Sequence, residues 1–230
     1  SILNRFCEDI LDEINLGNGN LTGSQFIEYL HRSNMFIIDL DDEKKWFRYH
    51  HLFQEMLNDL LNKHYPWDER AQLHSKASHW FEDRGYLEEA LDYALKVDDF
   101  DTAREIVISH RLSLLNTGQW WPLLKRLFQR LPISIIQQDF ELLLTQAYLR
   151  FYNADHIGVS QVVNQMEKMA SNPDIDPQVH GEYLFFLGYV TIYIRNDETR
   201  CLIHMKAGLE KIPESSPEPR GLIELFYTLF

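Results

Sequence analysis

Apolar residues recur every three or four positions along most of the chain, which predicts a mainly helical protein. The stripe that contains Leu52, Met56 and Leu60 has this period, and similar stripes follow it toward the C-terminus. Pro66 and Pro132 interrupt the pattern, because proline lacks the N–H that a helix interior needs. We therefore predict a series of helices joined by short turns from residue 52 onward.

One segment near the N-terminus has a different period and predicts a β-hairpin. Residues 35–40 are rich in β-branched and aromatic side chains, and residues 41–44 form a polar turn. Within residues 46–50, Phe47 and Tyr49 lie opposite in phase to their neighbours. Two short strands around this turn are the only convincing β structure that the sequence predicts.

Helices are expected on both sides of the hairpin. Residues 2–13 carry apolar side chains at roughly helical spacing. A second helix begins at Ser24, whose hydroxyl can accept a hydrogen bond from the first turn. The order helix, helix, hairpin, helix is typical of a small winged-helix module.

Two late pairs of helices look like copies of one another. The predicted pairs are residues 141–152 with 157–169 and residues 179–194 with 198–212. Residues 146–149 align with residues 187–190 at an offset of 41, and Phe151-Tyr152 then aligns with Ile192-Tyr193. The alignment places Ala147 and Gly188 where the helices of a pair must approach closely. This spacing favours helical repeats of the tetratricopeptide (TPR) type.

The predicted fold class is therefore mainly α. A partial winged-helix module with one β-hairpin is followed by a TPR-like helical-repeat superhelix. We predict a winged-helix portion at residues 1–65, a helical arm at 66–135 and the start of the TPR-like helical repeats at 136–230.

The charge of the chain is acidic throughout, with a formal net value of −13. Phosphate contacts need clustered Lys and Arg, and no basic block occurs, so the segment is expected to bind DNA poorly by itself. No apolar run is long enough to span a bilayer, and two distant cysteines fit a reducing compartment. A cytoplasmic protein with no membrane contact is expected.

Tests for catalytic chemistry are mostly negative. The sequence contains no Gly-x-x-x-x-Gly-Lys-Ser/Thr loop, no Gly-x-Ser-x-Gly elbow and no Cys-x-x-Cys pair. His50, His51 and Glu55 form the best candidate metal site, since His51 and Glu55 would share one face of a helix. No third ligand for a metal is evident. We expect no catalytic residues, no metal and no enzyme activity in these residues.

Adjacent tryptophans are the other candidate site. Trp120 and Trp121 lie side by side, so only one of them can point squarely into a helical core. The other is a candidate contact for a partner or ligand, and ordinary packing is the alternative.

Both ends of the sequence predict an interior part of a longer protein. The chain opens with Ser1-Ile2-Leu3 and closes on the apolar stretch 225–230. An open hydrophobic face at a natural terminus would have nothing to cover it.

The predicted hairpin, which would be the wing of the winged helix, lies in a region that resembles a known family. The run from Trp46 to Phe53 is similar to the aromatic-Tyr-His-x-Leu-Phe signature of MalT-like activators of the LuxR family, which are switch ATPases of the STAND class. The resemblance covers about residues 1–135 and weakens afterwards. It continues downstream in the following residues: Leu73-His74, Ala77, Trp80-Phe81, Gly85, Glu89-Ala90, Tyr93-Ala94-Leu95, Asp98-Asp99-Phe100, Ala103 and Leu131-Pro132. Tyr93 departs from the pattern, since relatives often have His there.

The resemblance implies a larger architecture. Such proteins combine an N-terminal P-loop ATPase module, a winged helix, a helical sensor for an inducer and a C-terminal DNA-binding domain. ATP and inducer drive self-association and promoter activation in that family. The implied partners are the upstream ATPase module, further copies of the protein and an unknown inducer. ATP or ADP is expected in the full-length protein, and no cofactor within these residues.

The resemblance also suggests one nucleotide contact. In related switch ATPases a winged-helix histidine contacts the nucleotide phosphate, and His50 is the matching residue here. The alternative is that His50 caps the following helix or packs at the base of the wing.

Two other functions remain open from the sequence. A free-standing helical-repeat adaptor for protein partners would fit the repeats, and a gene without an upstream ATPase module would favour it. A hydrolase that uses the His-rich wing is a third hypothesis.

Overall fold

The computed structural model describes residues 3–14, 21–116, 121–172, 174–216, 221 and 223–224. These residues form two strands, β1 (Ile37–Asp39) and β2 (Phe47–Tyr49), and twelve helices. The helices are α1 (Glu8–Ile14), α2 (Gly23–Arg32), α3 (His51–His64), α4 (Trp67–Asp83), α5 (Leu87–Leu95), α6 (Phe100–Asn116), α7 (Trp121–Arg130), α8 (Ile133–Gln138), α9 (Phe140–Tyr152), α10 (His156–Met169), α11 (Pro177–Arg195) and α12 (Glu198–Lys211).

The mainly α fold with one hairpin confirms the predicted fold class. The chain divides into two compact units, residues 1–110 and 111–230, and each is described by itself. Among the described residues, no helix combines the length and apolar character that crossing a bilayer requires. The three domains predicted from the sequence stay a prediction.

The hairpin has the predicted position and phase. β1 and β2 are antiparallel, with Ile37 opposite Tyr49 and Asp39 opposite Phe47. Phe47 and Tyr49 are buried, whereas Arg48 between them is exposed. The order α1, α2, hairpin, α3 is the winged-helix order that the sequence predicts.

The segment before α1 corrects the prediction of a helix over residues 2–13. The helix begins only at Glu8, and Phe6 forms an isolated antiparallel bridge with Phe47. The Phe6 N–H donates to the Phe47 carbonyl at 2.8 Å and the Phe47 N–H to the Phe6 carbonyl at 2.9 Å. The outer edge of β2 offers these unpaired backbone groups, and pairing with them outweighs the local helical pattern.

The start of α2 also differs from the prediction at Ser24. Thr22 is the N-cap, and its hydroxyl accepts from the Gln25 N–H at 3.3 Å. The Gln25 side chain accepts in turn from the Thr22 N–H at 2.9 Å. This capping box satisfies two N–H groups that the helix itself leaves without partners.

A strap of residues 3–6 joins the hairpin to α4 and α5. The Arg5 guanidinium lies between the rings of Trp46 and Tyr86, 4.4 and 4.7 Å from their centroids. Arg5 also forms an ion pair with Glu89 in α5. Since one cation contacts three elements, the strap, the wing and the helices after it share one core.

Tyr93 is part of the same core. The Asn4 N–H donates to the Tyr93 hydroxyl at 2.7 Å. The Tyr93 ring stacks on Phe81 with a centroid distance of 5.4 Å, and only 1% of the residue is exposed. Its departure from the family pattern therefore lies at a packing position.

The turns of the first unit follow the predicted breaks. Pro66 separates α3 from α4, and Gly85 follows α4 with a φ of 77°, a conformation that costs glycine little. α4 packs against α5, and α1 packs against α2 and α4. α3 is different, because none of its residues is fully buried.

The second unit contains the two predicted helical pairs. α9 packs against α10, α11 against α12, and α9 also contacts α11. Gly188 allows close approach, since a Cβ there would lie 3.0 Å from Met205 Cγ and 3.1 Å from the Cys201 carbonyl oxygen. Gly181 has a similar role, because its Cβ would lie 2.9 Å from the Gly208 carbonyl oxygen. The short helix α8 was not predicted from the sequence.

His74 gives the first unit a pH-dependent stability. Its Nδ1 is buried and has no hydrogen-bond partner within the described residues. Burial, with the positive charges of Lys96 and Arg70, lowers the pKa of His74 to about 4. The unfolded chain binds this proton near pH 6.5, so the folded state is favoured above that pH and loses stability as pH falls toward 4.

We therefore expect His74→Gln to lower the pH dependence of stability. Relative to the wild type, the variant should gain free energy of unfolding as pH falls from about 7 to 5, because it has no imidazole to protonate. Urea unfolding followed by circular dichroism at each pH measures this difference. The exposed His79 of the same helix supplies the control variant His79→Gln. Parallel pH profiles for the wild type and His74→Gln would contradict the assignment.

Candidate functional site

His50 lies at the junction between β2 and α3. Its N–H donates to the Phe36 carbonyl at 2.7 Å, and its carbonyl accepts from the Gln54 N–H at 2.9 Å. The backbone is thus held from both sides. His50 occupies the N-cap position of α3, but its side chain makes no capping hydrogen bond.

The His50 imidazole is exposed. Its ring lies 4.4 Å from the ring of His51, which is exposed as well. The side chain therefore does not cap α3 by a hydrogen bond, and the imidazole is open to solvent. The nucleotide contact stays a prediction. A fixed backbone with an exposed imidazole can donate to a group that approaches from outside.

Trp121 begins an aromatic surface in the second unit, and Trp120 lies outside the described residues. The Trp121 ring is 4.4 Å from that of Tyr152, which ends α9 and is 62% exposed. Tyr189 and Tyr193 of α11 lie 4.4 Å apart, and Phe151 is 5.1 Å from Tyr189. We call Trp121, Phe151, Tyr152, Tyr189 and Tyr193 the aromatic surface.

The repeat explains why these rings form a row. Tyr148 and Tyr152 are four residues apart on α9, and Tyr189 and Tyr193 occupy the equivalent positions on α11. Tyr152 and Tyr193 are 62% and 59% exposed, so each repeat presents one large ring. Tyrosine rings combine an apolar face with a hydroxyl, which suits ligands that need both.

A buried ion cluster lies in the same unit. Arg111 is 1% exposed, and its Nη2 lies 2.6 Å from a Glu182 oxygen and 3.0 Å from a Glu141 oxygen. Its Nε donates to Glu141 at 3.1 Å. Burial alone would lower the pKa of Arg111, but the two carboxylates raise it above its ordinary value. The cluster ties α6 to α9 and α11.

The cluster continues toward the loop after α12. The Gln178 amide donates to Glu182 at 3.4 Å, and the Ser216 hydroxyl donates to Gln178 at 2.7 Å. Arg111 Nη1 is buried without a partner in the described residues. Burial and the charge of Glu182 raise the pKa of Tyr148, whereas the charge of Arg111 lowers it. Both charges of the cluster therefore act on Tyr148, which lies one helical turn before Tyr152 of the aromatic surface.

One family model matches part of the first unit. Residues 1–69 match the model of the MalT winged helix domain. The matched residues include the hairpin, the strap of residues 3–6 and α3.

Curated relatives that match a larger part of the chain are named MalT. The HTH-type transcriptional regulator MalT of Klebsiella pneumoniae (strain 342) is 26% identical over 198 residues, 85% of this chain and 21% of the relative. MalT of Yersinia pestis (strain Pestoides F) is 31% identical over 152 residues, 65% of this chain and 16% of the relative. The chain thus spans about a fifth of the length of the curated MalT relatives it matches. No solved structure matches it.

Some of the candidate residues were predicted from the sequence, and others are evident only in the structure. His50 and Trp121 were predicted as candidates, and they lie in different units. Tyr152, whose ring lies beside Trp121, aligns with Tyr193 at the offset of 41 residues, whereas the contact between Trp121 and Tyr152 appears only in the structure. The ion cluster was missed, and its only signal is a charged residue within apolar helical runs, as at Arg111 and Glu182.

The ion cluster predicts a specific pattern of stability. Arg111→Met leaves two carboxylates without their cation, so we expect a loss of about 3–5 kcal/mol in the free energy of unfolding. Changing Glu141 and Glu182 to Gln in the same chain removes those charges and should restore most of the loss. Urea unfolding followed by circular dichroism measures both variants. Equal stability of the single and the triple variant would show that lost packing, not charge, is the cause.

Proposed function

We propose that this chain is the regulatory and sensor segment of a signal-responsive, ATP-dependent transcription regulator of the MalT type. The match of residues 1–69 to the MalT winged-helix domain carries this proposal. In it, the second unit begins the sensor, and inducer binding is relayed to self-association and promoter activation. The nucleotide would be held by an ATPase module upstream, with His50 as its contact from the wing.

The charge of the winged-helix unit supports a regulatory role over direct DNA binding. Residues 1–110 contain 11 Lys and Arg and 22 Asp and Glu, a net charge of −11. DNA binding depends on cations that replace condensed counterions, and this unit would repel the phosphates. Promoter contact is therefore assigned to a C-terminal domain outside these residues.

The aromatic surface is the proposed inducer-facing part. It presents exposed rings from two successive repeats beside a rigid ionic core. Ligand sites commonly combine apolar or aromatic walls with a few fixed polar groups. The family resemblance implies a helical sensor for the inducer, which supports this assignment, and Trp121 begins α7, just before the predicted start of the repeats at residue 136.

The chain by itself should not bind DNA. In fluorescence anisotropy with a labelled duplex at physiological salt, we expect a Kd weaker than roughly 100 µM, the weak limit of non-specific binding. The control is the same assay with a full-length MalT regulator. A tighter complex that weakens steeply with added salt would assign DNA contact to these residues and sink the proposed division of labour.

His50 can be tested in the full-length regulator. His50→Ala should release ADP faster and raise basal transcription, because the wing would lose its phosphate donor. His51→Ala is the matched control, since its exposed ring lies beside His50 without the same place in the signature. ADP release is measured by filter binding and basal transcription by a reporter. Unchanged ADP affinity in His50→Ala would remove the nucleotide role.

A further inference from the structure

A cavity of about 520 Å³ opens in the first unit, away from His50. It lies between the start of α1, the turn of the wing and the end of α4. Its volume falls within the range of roughly 300–1,000 Å³ that is usual for small-molecule sites. The lining residues are Cys7, Glu8, Asp9, Glu43, Lys44, Lys45, Trp46, Trp80, Arg84 and Tyr86.

One aromatic ring of this cavity already holds a guanidinium group that lines the cavity, and Arg5, which is outside the lining, lies on a second ring. The Arg84 guanidinium lies 4.1 Å from the centroid of the Trp80 ring. The neighbouring Trp46 ring has Arg5 at 4.4 Å. Flat cations of this kind are attracted by the negative faces of indole rings. The wall therefore has the chemistry that selects a guanidinium.

Of Arg84 and Arg5, Arg84 is the side chain that a ligand can displace from its ring. Arg5 is fixed by its ion pair with Glu89 and by two rings. Arg84 is exposed and has no ion pair within the described residues. Moving it into water breaks one cation–π contact and leaves the Trp80 face open to another cation.

Two of the carboxylates at the cavity are not neutralised by an ion pair within the described residues. Lys45 forms an ion pair with Glu43, and Lys44 lies 3.8 Å from Asp39. Glu8 and Asp9, both exposed, have no ion-pair partner within the described residues. The net charge of −11 over residues 1–110 adds to the negative potential there.

We propose that this cavity binds a small organic compound with a guanidinium head group, which replaces Arg84 on Trp80 and is neutralised by Glu8 and Asp9. The alkyl part of the compound would lie along Trp46 and Tyr86. Cys7 lines the same cavity and becomes covered when the compound is bound.

The test uses the 230-residue chain with butylguanidine as the probe and butylurea as its neutral isostere. Calorimetric titration gives the Kd, and protection of Cys7 from iodoacetamide, located by peptide mass, gives the position. Cys201 is 0% exposed and serves as the internal reference. We expect butylguanidine to bind and to protect Cys7. Binding of butylurea with equal affinity, or the absence of protection at saturation, would overturn the proposal.

Two variants separate this site from general attraction to an acidic protein. Arg84→Ala removes the internal competitor and should tighten the Kd by about two- to fivefold. Glu8→Gln with Asp9→Asn should weaken it roughly tenfold, as expected for two partly exposed ion pairs. The control is Glu55→Gln with Asp59→Asn on α3, which removes the same charge at exposed positions outside the cavity.

The control pair should change the Kd less than about twofold, because salt screens distant charges. Equal effects of the two double variants would reduce the binding to bulk electrostatics and reject the site. Weaker binding in Arg84→Ala would show that Arg84 belongs to the site instead of competing for it, and would also reject the proposed exchange.

Discussion

The contact of Arg5 with Trp46, Tyr86 and Glu89 is the constraint on which the first unit depends. One side chain satisfies a carboxylate and two aromatic faces that come from the wing and from the turn and helix after α4. The strand pairing of Phe6 with Phe47 brings Arg5 to this place. Without that backbone pairing, the guanidinium would have no fixed path between the rings, and the ion pair with Glu89 would be lost. Trp46 would then hold the wing through its ring contacts with Trp80, Phe81 and Tyr86.

The second unit depends on a different interaction. Its helices approach each other through small residues such as Gly181 and Gly208, and a buried arginine joins three of them. Close backbone approach and a single ionic centre leave the outer helix positions available for large rings. The exposed tyrosines of the aromatic surface lie at these outer positions, whereas Phe140, Tyr183, Phe185 and Phe186 are buried in the core.

Local signals in the sequence predicted most elements of the fold. The phase of Phe47 and Tyr49 predicted the hairpin, Pro66 predicted a helix break, and the alignment of Gly188 predicted the close approach of α11 and α12. Each of these depends on neighbours in sequence or on a repeat. The bridge at Phe6 could not be predicted, because its partner Phe47 is 41 residues away and the local pattern favours a helix.

The candidate sites show the same limit. His50 was found through its place in a signature, and Trp121 through a doublet that could not be buried twice. The ion cluster and the cavity need contacts over large sequence distances, such as the 71 residues between Arg111 and Glu182. Periodicity carries no information about such pairs, because charge complementarity has no characteristic spacing.

The strap has a consequence for how this module can evolve. The segment that matches the MalT winged-helix model ends at residue 69, yet Arg5 and Asn4 have partners as far along as Glu89 and Tyr93. The border of the matched model therefore falls inside a packed core, and the similarity to MalT regulators continues past it. A recombination event that exchanged only residues 1–69 would have to bring a compatible arginine at its fifth position, or the host helices would lose the contacts that Arg5 makes with them.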